Sequence, residues 1–155
     1  MTIARALQGY LERKGTPYEL VPHPRAPSST RTAEAAGVSG HQLAKAVVTE
    51  DASHYVAVVV PASRRVQLGV VREYLGRQCG LATEQEVARI FDDCSPGAVP
   101  AIAQPYGLEM LVDESLLALD DVYFEAGDHQ SLVHVAGGDF RALVRGCVHG
   151  DFAGD

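Results

Sequence analysis

Two apolar runs govern what this chain can fold into. Residues 43–50 and 54–60 are almost continuously aliphatic and are joined by the polar turn Asp51-Ala52-Ser53. Runs of this kind pair as an antiparallel hairpin. Their lack of strict alternation means that both faces are largely covered. One residue conflicts with that setting. Lys45 stands inside Leu43-Ala44-Lys45-Ala46-Val47-Val48 and is one of only two lysines in the chain. An isolated ammonium in a buried strand is costly without a partner. Lys45 therefore either tips a sheet edge into water or reaches into a pocket that receives an anion.

The pattern around the hairpin predicts further elements. Ile3, Ala6, Leu7, Tyr10 and Leu11 have helical spacing over 2–14, with Thr2 as N-cap and Gly15 as stop. A short strand at 18–21 runs into the segment containing Pro22, Pro24 and Pro27. Residues 30–37 read as a helix capped by Thr30 and ended by Gly37. A connection or edge strand at 61–67 leads to helices at 69–77 and 83–91, the second opened by the capping-box pair Thr83 and Glu86. Strands are expected at 108–112, 121–125 and 131–135, with a turn at 127–130 and a last helix at 139–145 capped by Asp139. Strands and helices mix without regular βαβ alternation. The expectation is one domain, 1–155, of the α+β class with a mostly antiparallel sheet.

Composition narrows the function classes. No stretch approaches the roughly 20 apolar residues that span a bilayer, and the N-terminus lacks the pattern of a secretory signal. Cys79, Cys94 and Cys147 are odd in number and widely spaced. They form no disulfide framework and suit a reducing cytoplasm. Residues 1–77 hold ten basic and six acidic residues, whereas 78–155 hold three and fourteen. The net charge of −7 argues against generic nucleic-acid or DNA binding, which is mainly electrostatic. A local patch of Arg25, Arg31, Lys45, Arg64 and Arg65 is enough to hold one nucleic-acid end; otherwise these are solvated surface charges.

Several chemistries lack their motifs. There is no Gly-x-Ser-x-Gly elbow, no P-loop and no Gly-x-Gly-x-x-Gly after a strand. The six histidines, His23, His41, His54, His129, His134 and His149, form no metal-ligand spacing, so neither a metal nor a cofactor is expected. Cys94 lies in a loop with no histidine beside it in sequence. No residue reads as a strong protein base. Two turns do suit a site. In Pro96-Gly97-Ala98-Val99-Pro100, successive N–H groups of Gly97, Ala98 and Val99 suit an oxyanion; a plain surface turn is the alternative. In Gly127-Asp128-His129, His129 either caps a pocket or merely shapes a hairpin.

These segments, in this order, resemble the YbaK/EbsC family, free-standing relatives of the editing domain of bacterial prolyl-tRNA synthetases. The resemblance covers nearly the whole chain: Tyr18-Glu19-Leu20-Val21-Pro22-His23, Arg31-Thr32-Ala33-Glu34-Ala35-Ala36, Leu43-Ala44-Lys45-Ala46-Val47, Val60-Pro61-Ala62-Ser63, Phe91-Asp92-Asp93-Cys94, Gly97-Ala98-Val99-Pro100 and Phe124-Glu125-Ala126-Gly127-Asp128-His129. It implies a mixed, mostly antiparallel sheet curved around a small pocket and flanked by helices. It implies a hydrolase acting on the ester of mischarged aminoacyl-tRNA, with a small amino acid such as alanine or cysteine on tRNA for proline. The family's invariant lysine falls on Lys45, its Gly-x-x-x-Pro loop on Gly97 to Ala101, and the synthetase-domain histidine on His129. The loop departs at its end: Ala101 stands at the final proline position and Pro100 precedes it. Implied partners are the aminoacyl-tRNA acceptor end and prolyl-tRNA synthetase, without membrane or DNA. The competing reading is a non-catalytic binding module that keeps the fold and uses the pocket for another ligand or a protein.

Overall fold

Branched aliphatic side chains pack well on a pleated backbone, and Tyr55–Pro61, rich in valine, forms the most buried strand of the protein. The computed structural model describes residues 3–26, 28–51 and 54–155. In chain order the elements are α1 (Arg5–Arg13), β1 (Glu19–Pro22), α2 (Ser29–Ala36), β2 (Ala44–Glu50), β3 (Tyr55–Pro61), β4 (Arg65–Val66), α3 (Leu68–Leu75), β5 (Gly80–Leu81), α4 (Glu84–Ile90), β6 (Glu109–Asp113), β7 (Asp121–Glu125), β8 (Ser131–Ala136), α5 (Gly137–Leu143), β9 (Val148–Gly150) and β10 (Ala153–Gly154). Single 3-10 turns cover Gln104–Tyr106 and Glu114–Ala118.

A five-stranded sheet has the order β5-β2-β3-β6-β9, a three-stranded sheet the order β1-β8-β7, and β10 pairs with β4. Among the described residues the parallel strand pairs are β3–β6 and β6–β9, besides a single parallel bridge between Leu43 and Tyr123. The fold is α+β with mixed, mostly antiparallel sheets, as the sequence predicts. Among the described residues no helix is long and apolar enough to cross a membrane.

Strand alternation sorts the hairpin into two faces. Ala44, Val48, Ala57 and Val59 face the main core, with Leu7 and Leu11 of α1, Phe124 of β7 and Phe140 of α5. Val56, Val58 and Val60 face a second cluster with Val71 and Phe152. A third cluster, Ala33, Leu43, Ala62 and Leu132, lies under α2.

Helix ends depart from expectation at three places. The first helix starts at Arg5, later than expected, with Ala4 at the N-cap position and no capping side chain. Ser28, not Thr30, caps α2 by accepting the Arg31 N–H, because the helix starts one residue earlier and Thr30 Oγ1 turns to the Ala62 carbonyl. The last helix starts at Gly137, where the backbone passes too close to Leu119 for a side chain, and Asp139 sits in its first turn instead of capping it. Thr83 and Glu86 form the expected capping box on α4. Thr83→Ala should cost about 1 kcal/mol, read as a shift of the urea midpoint at constant slope. β5, β9 and β10 escape sequence reading because two or three residues carry no period. Thr2, Pro27, Ala52 and Ser53 lie outside the described residues.

The outer face of the three-stranded sheet carries a pH-sensitive clasp. His134 on β8 contacts Glu19 Oε1 through Nδ1 (2.5 Å) and Asp121 Oδ1 through Nε2 (2.8 Å), and its ring stacks on Tyr123. Burial lowers its pKa, but the two carboxylates outweigh burial and the net shift is upward. A raised folded-state pKa gives stability that is complete below the ordinary histidine value of about 6.5 and is lost as pH rises through the folded value. His134→Gln should flatten the decline of melting temperature between neutral and mildly alkaline pH.

Candidate active site

The third cluster forms the floor of a site. Leu43, just before β2, makes a parallel bridge with Tyr123 of β7, and both pack at this cluster. Two residues further along each strand, on the same face, stand Lys45 and Glu125. Val21 on β1 lies opposite Leu132, and His23 follows two residues later. Its N–H donates to the Gln130 carbonyl (2.8 Å), which extends the pairing. Charged and titratable side chains from three strands therefore meet at one end of this face, with Val21, Leu132 and Tyr123 separating them from the His134 clasp at the other end.

Glu125 is the centre of this meeting. Its Oε1 lies 3.2 Å from His23 Nε2, and its Oε2 lies 3.3 Å from His129 Nδ1. Side-chain exposures are 0% for His23, 10% for Glu125 and 12% for His129, so water does little to screen the cluster. The His129 contact is close but imperfectly aligned, and Nδ1 has no other partner among the described residues. Burial pushes the Glu125 carboxyl up, against the opposing pull of the two histidines. The ring nitrogens face the carboxylate instead of converging on one point, and among the described residues no group is arranged to hold a metal ion.

Backbone chemistry fixes His129. The Asp128 carboxylate accepts the N–H groups of Gln130 and Ser131, both at 2.9 Å, which closes a tight turn. His129 has φ 61 and is the one non-glycine residue with positive φ among those described. Such strain concentrates at functional sites. Gly127, at φ 115, admits no side chain there, because a Cβ would lie 2.8 Å from that of Ala4.

The Pro96-Gly97 loop is pinned beside this turn by the Ser95 N–H bond to the Gly127 carbonyl (2.7 Å). Pro96 and Gly97 (φ 79) occupy the central positions of a turn closed from Ala98 N–H to Ser95 carbonyl (3.1 Å). Proline followed by positive-φ glycine is the type II pattern. This corrects one expectation: the Ala98 amide is consumed by its own turn, so the loop's donors are Gly97 and Val99, which make no backbone hydrogen bond among the described residues. The Ala98 and Pro100 side chains are buried and Val99 is half-buried. A Cβ on Gly97 would meet only His129 Nε2, at 3.8 Å. The space between this loop and the imidazole is therefore about one methyl group deep at Gly97. Ala101 is wholly buried in the main core, so its departure from the family's proline is absorbed by packing away from this space.

Lys45 is half-buried. Burial lowers its pKa, and nearby Arg65 adds to the shift. Arg25, Arg31 and Arg65 are exposed and Arg64 is partly so; Arg31 makes a surface pair with Glu34 at 3.5 Å. Arg65 is the patch residue whose charge reaches Lys45. Burial foremost, with the Asp93 carboxylate, pushes the Cys94 thiol up to about 12, which disfavours the thiolate. A neighbouring cleft lined by Arg5, Asp92, Asp93, Ser95 and Asp128 contains neither Lys45 nor His129. Its carboxylates repel a polyanion.

Residues 23–143 match the family model described as the aminoacyl-tRNA editing domain. This chain belongs to that family, the YbaK-type editing domains. The editing domain also resembles solved structures over nearly its full length. A candidate trans-editing enzyme for prolyl tRNA synthetase is 26% identical, with TM-score 0.83 and coverage of 98% of this chain and 97% of that one. A protein of unassigned function is 24% identical, with TM-score 0.85 and coverage of 97% and 100%. A protein from Marinobacter aquaeolei VT8, described as a candidate signal transduction protein, is 21% identical with TM-score 0.76; the match covers 97% of this chain and 30% of that one. No curated protein sequence matches the chain.

Sequence reasoning selected Lys45, the Gly97 loop and His129 for the editing domain but missed Glu125 and His23. The signal for Glu125 was available. It ends the short strand Asp121-Val122-Tyr123-Phe124-Glu125 directly before the Gly127-Asp128-His129 turn, although a carboxylate at each end of that strand makes the mark weaker than the one on Lys45. His23 carries no such mark, since it follows a proline in an irregular segment.

Proposed function

We propose that this editing domain is a trans-acting aminoacyl-tRNA deacylase that hydrolyses the ester of mischarged tRNA in the cytoplasm. The observation that carries the reading is a half-buried lysine on the same sheet face as the buried Glu125–His129 pair, in a chain of the editing family. The 3′ end of tRNA is polyanionic. Lys45 holds its terminal phosphate and sets the register of the ester, while Arg25, Arg31, Arg64 and Arg65 receive the acceptor end. The amides of Gly97 and Val99 accept the carbonyl oxygen and stabilise the charge that grows on it as water attacks. Ala98, Pro100 and His129 bound the space for the amino-acid side chain. Filtering is steric: a small pocket admits alanine or cysteine and excludes a larger correct residue, a better filter than sensing one missing methylene, which is worth only about 1–3 kcal/mol. The relationship to a trans-editing protein for prolyl-tRNA synthetase supports tRNA for proline as substrate and that synthetase as partner.

The test is a panel of mischarged tRNAs, alanyl- and cysteinyl-tRNA for proline included, followed by loss of ester. Turnover of one or a few, with correctly charged prolyl-tRNA spared, supports the reading. Binding of tRNA or a protein without turnover of any ester replaces it with a binding module.

A further inference from the structure

Two cations are held near each other with no carboxylate to neutralise them. Lys45 is half-buried on β2, and the charge that acts on it is a second cation, Arg65. None of the ion pairs among the described residues takes either side chain. Glu125, the carboxylate on the same sheet face as Lys45, is engaged by His23 and His129. Like charges repel, and burial strengthens the repulsion by lowering the local dielectric. An anion placed between the two cations removes that cost.

The backbone brings Arg65 to Lys45 by a defined route. Val60 lies opposite Lys45. The chain then turns, with the Arg64 N–H donating to the Pro61 carbonyl (3.0 Å), and enters β4. There Arg65 lies opposite Gly154 of β10, and Val66 opposite Ala153. β10 is tied down from two sides. Asp113, 2% exposed at the end of β6, accepts the N–H groups of Phe152 and Ala153 on one carboxylate oxygen, both at 2.9 Å. Gln67, just after β4, donates its N–H to the Phe152 carbonyl and its side-chain amide to the Ala153 carbonyl, both at 2.8 Å. Val60, Val66, Phe152 and Ala153 pack in one apolar cluster. Arg65 is exposed, but the strand that carries it is fixed through β10 to a buried carboxylate.

We infer that Lys45 and Arg65 clamp a single phosphate group at the 3′ end of tRNA, with β10 as the strap that positions Arg65. The inference rests on the deacylase reading. The guanidinium fork suits paired phosphate oxygens, and the compact ammonium adds a point charge from the sheet side. The phosphate relieves the repulsion between the cations, so both grip it only together. Holding it fixes the ester in register for attack by water.

The test is a double-mutant cycle on the binding of uncharged tRNA for proline to the intact protein, repeated over a range of salt. Lys45→Ala and Arg65→Gln should each raise Kd about tenfold or more. With one shared phosphate, the double variant binds only about two- to threefold more weakly than either single variant. The slope of log K against log salt then falls by about 0.7 in all, the value for one phosphate of a single strand. tRNA trimmed of its last three nucleotides should bind all four proteins alike. Gly154→Ala tests the strap, because its Cβ would lie 2.9 Å from Gln67 Cγ and 3.1 Å from Cδ and push β10 off β4. It should weaken binding in the parent and have no effect in the Arg65→Gln background, a dependence that a general loss of stability does not produce. Multiplied losses, about 100-fold in the double variant with a slope change of about 1.4, place the cations on separate phosphates and overturn the clamp. Parental binding by Arg65→Gln overturns it as well, and so does trimmed tRNA that still tells the four proteins apart. Equal weakening by Gly154→Ala in both backgrounds overturns the strap. Multiplied losses beside normal ester turnover leave the deacylase reading standing. A shared-phosphate cycle without turnover of any ester overturns that reading and keeps the clamp, and a wild type that binds no tRNA overturns both.

Discussion

Lys45→Ala is expected to remove nearly all deacylation while leaving the fold intact. Lys45 fixes the register of the ester through the terminal phosphate, and misplacing a reacting group by about 1 Å costs roughly 10²-fold in rate. Lys45 is preorganised because β2 is paired along its length with β3, with Lys45 opposite Val60. The lost interaction is made to substrate, so kcat/KM carries the loss. Stability should move the other way or not at all. Burial, then Arg65, lowers the Lys45 pKa, so the folded state disfavours the charged ammonium. Below the lowered pKa that charge is a burden, and stability rises as pH climbs through it toward the unfolded value. Melting curves of Lys45→Ala should match or slightly exceed those of the parent at neutral pH. Lys45→Arg should recover charge but not activity, since a planar guanidinium cannot replace a compact ammonium in a half-buried slot. A Lys45→Ala protein that deacylates at the parental rate would remove Lys45 from the site.

Gly137→Ala is expected to be the most damaging single methyl in the chain. A Cβ at this position would lie 1.8 Å from the Leu119 carbonyl oxygen, 2.9 Å from its carbon and 3.1 Å from the Asp120 carbonyl carbon. All three are backbone atoms and none can swing aside. The Gly137 N–H also donates to the Asp120 carbonyl (2.7 Å), which holds the two segments at this separation. Relief requires moving the start of β7 away from the end of β8, and Glu125 lies on β7. The cost should be about 4 kcal/mol or more, a large part of the 5–15 kcal/mol that typically holds a domain together. Urea denaturation measures it. Gly138→Ala is the control: its Cβ meets only Arg141 Nη2, at an ordinary 3.6 Å, and should be neutral or slightly stabilising. Equal midpoints for the two variants would refute the close-approach account.

Local chemistry determined a good deal of this protein before any coordinates. The hairpin is legible because valine-rich runs on either side of a polar turn have one low-energy arrangement, and the structure pairs Ala44 to Glu50 with Tyr55 to Pro61. The Thr83–Glu86 cap and the Pro96-Gly97 turn are legible because each depends on atoms within four residues. Lys45 is legible because a lone charge among aliphatic neighbours is conspicuous in any window. Tertiary structure decided what these pieces do together. His23 and Glu125 are 102 residues apart in sequence. Their meeting depends on β1 and β7 flanking β8, a pairing no local pattern announces. The Ala98 amide illustrates the same limit on a smaller scale: sequence identifies a donor, but only the folded loop shows that Ser95 has already taken it. Propensity, capping and turn chemistry act over a few residues and can be read along the chain. A buried proton network exists only where distant strands exclude water from one another.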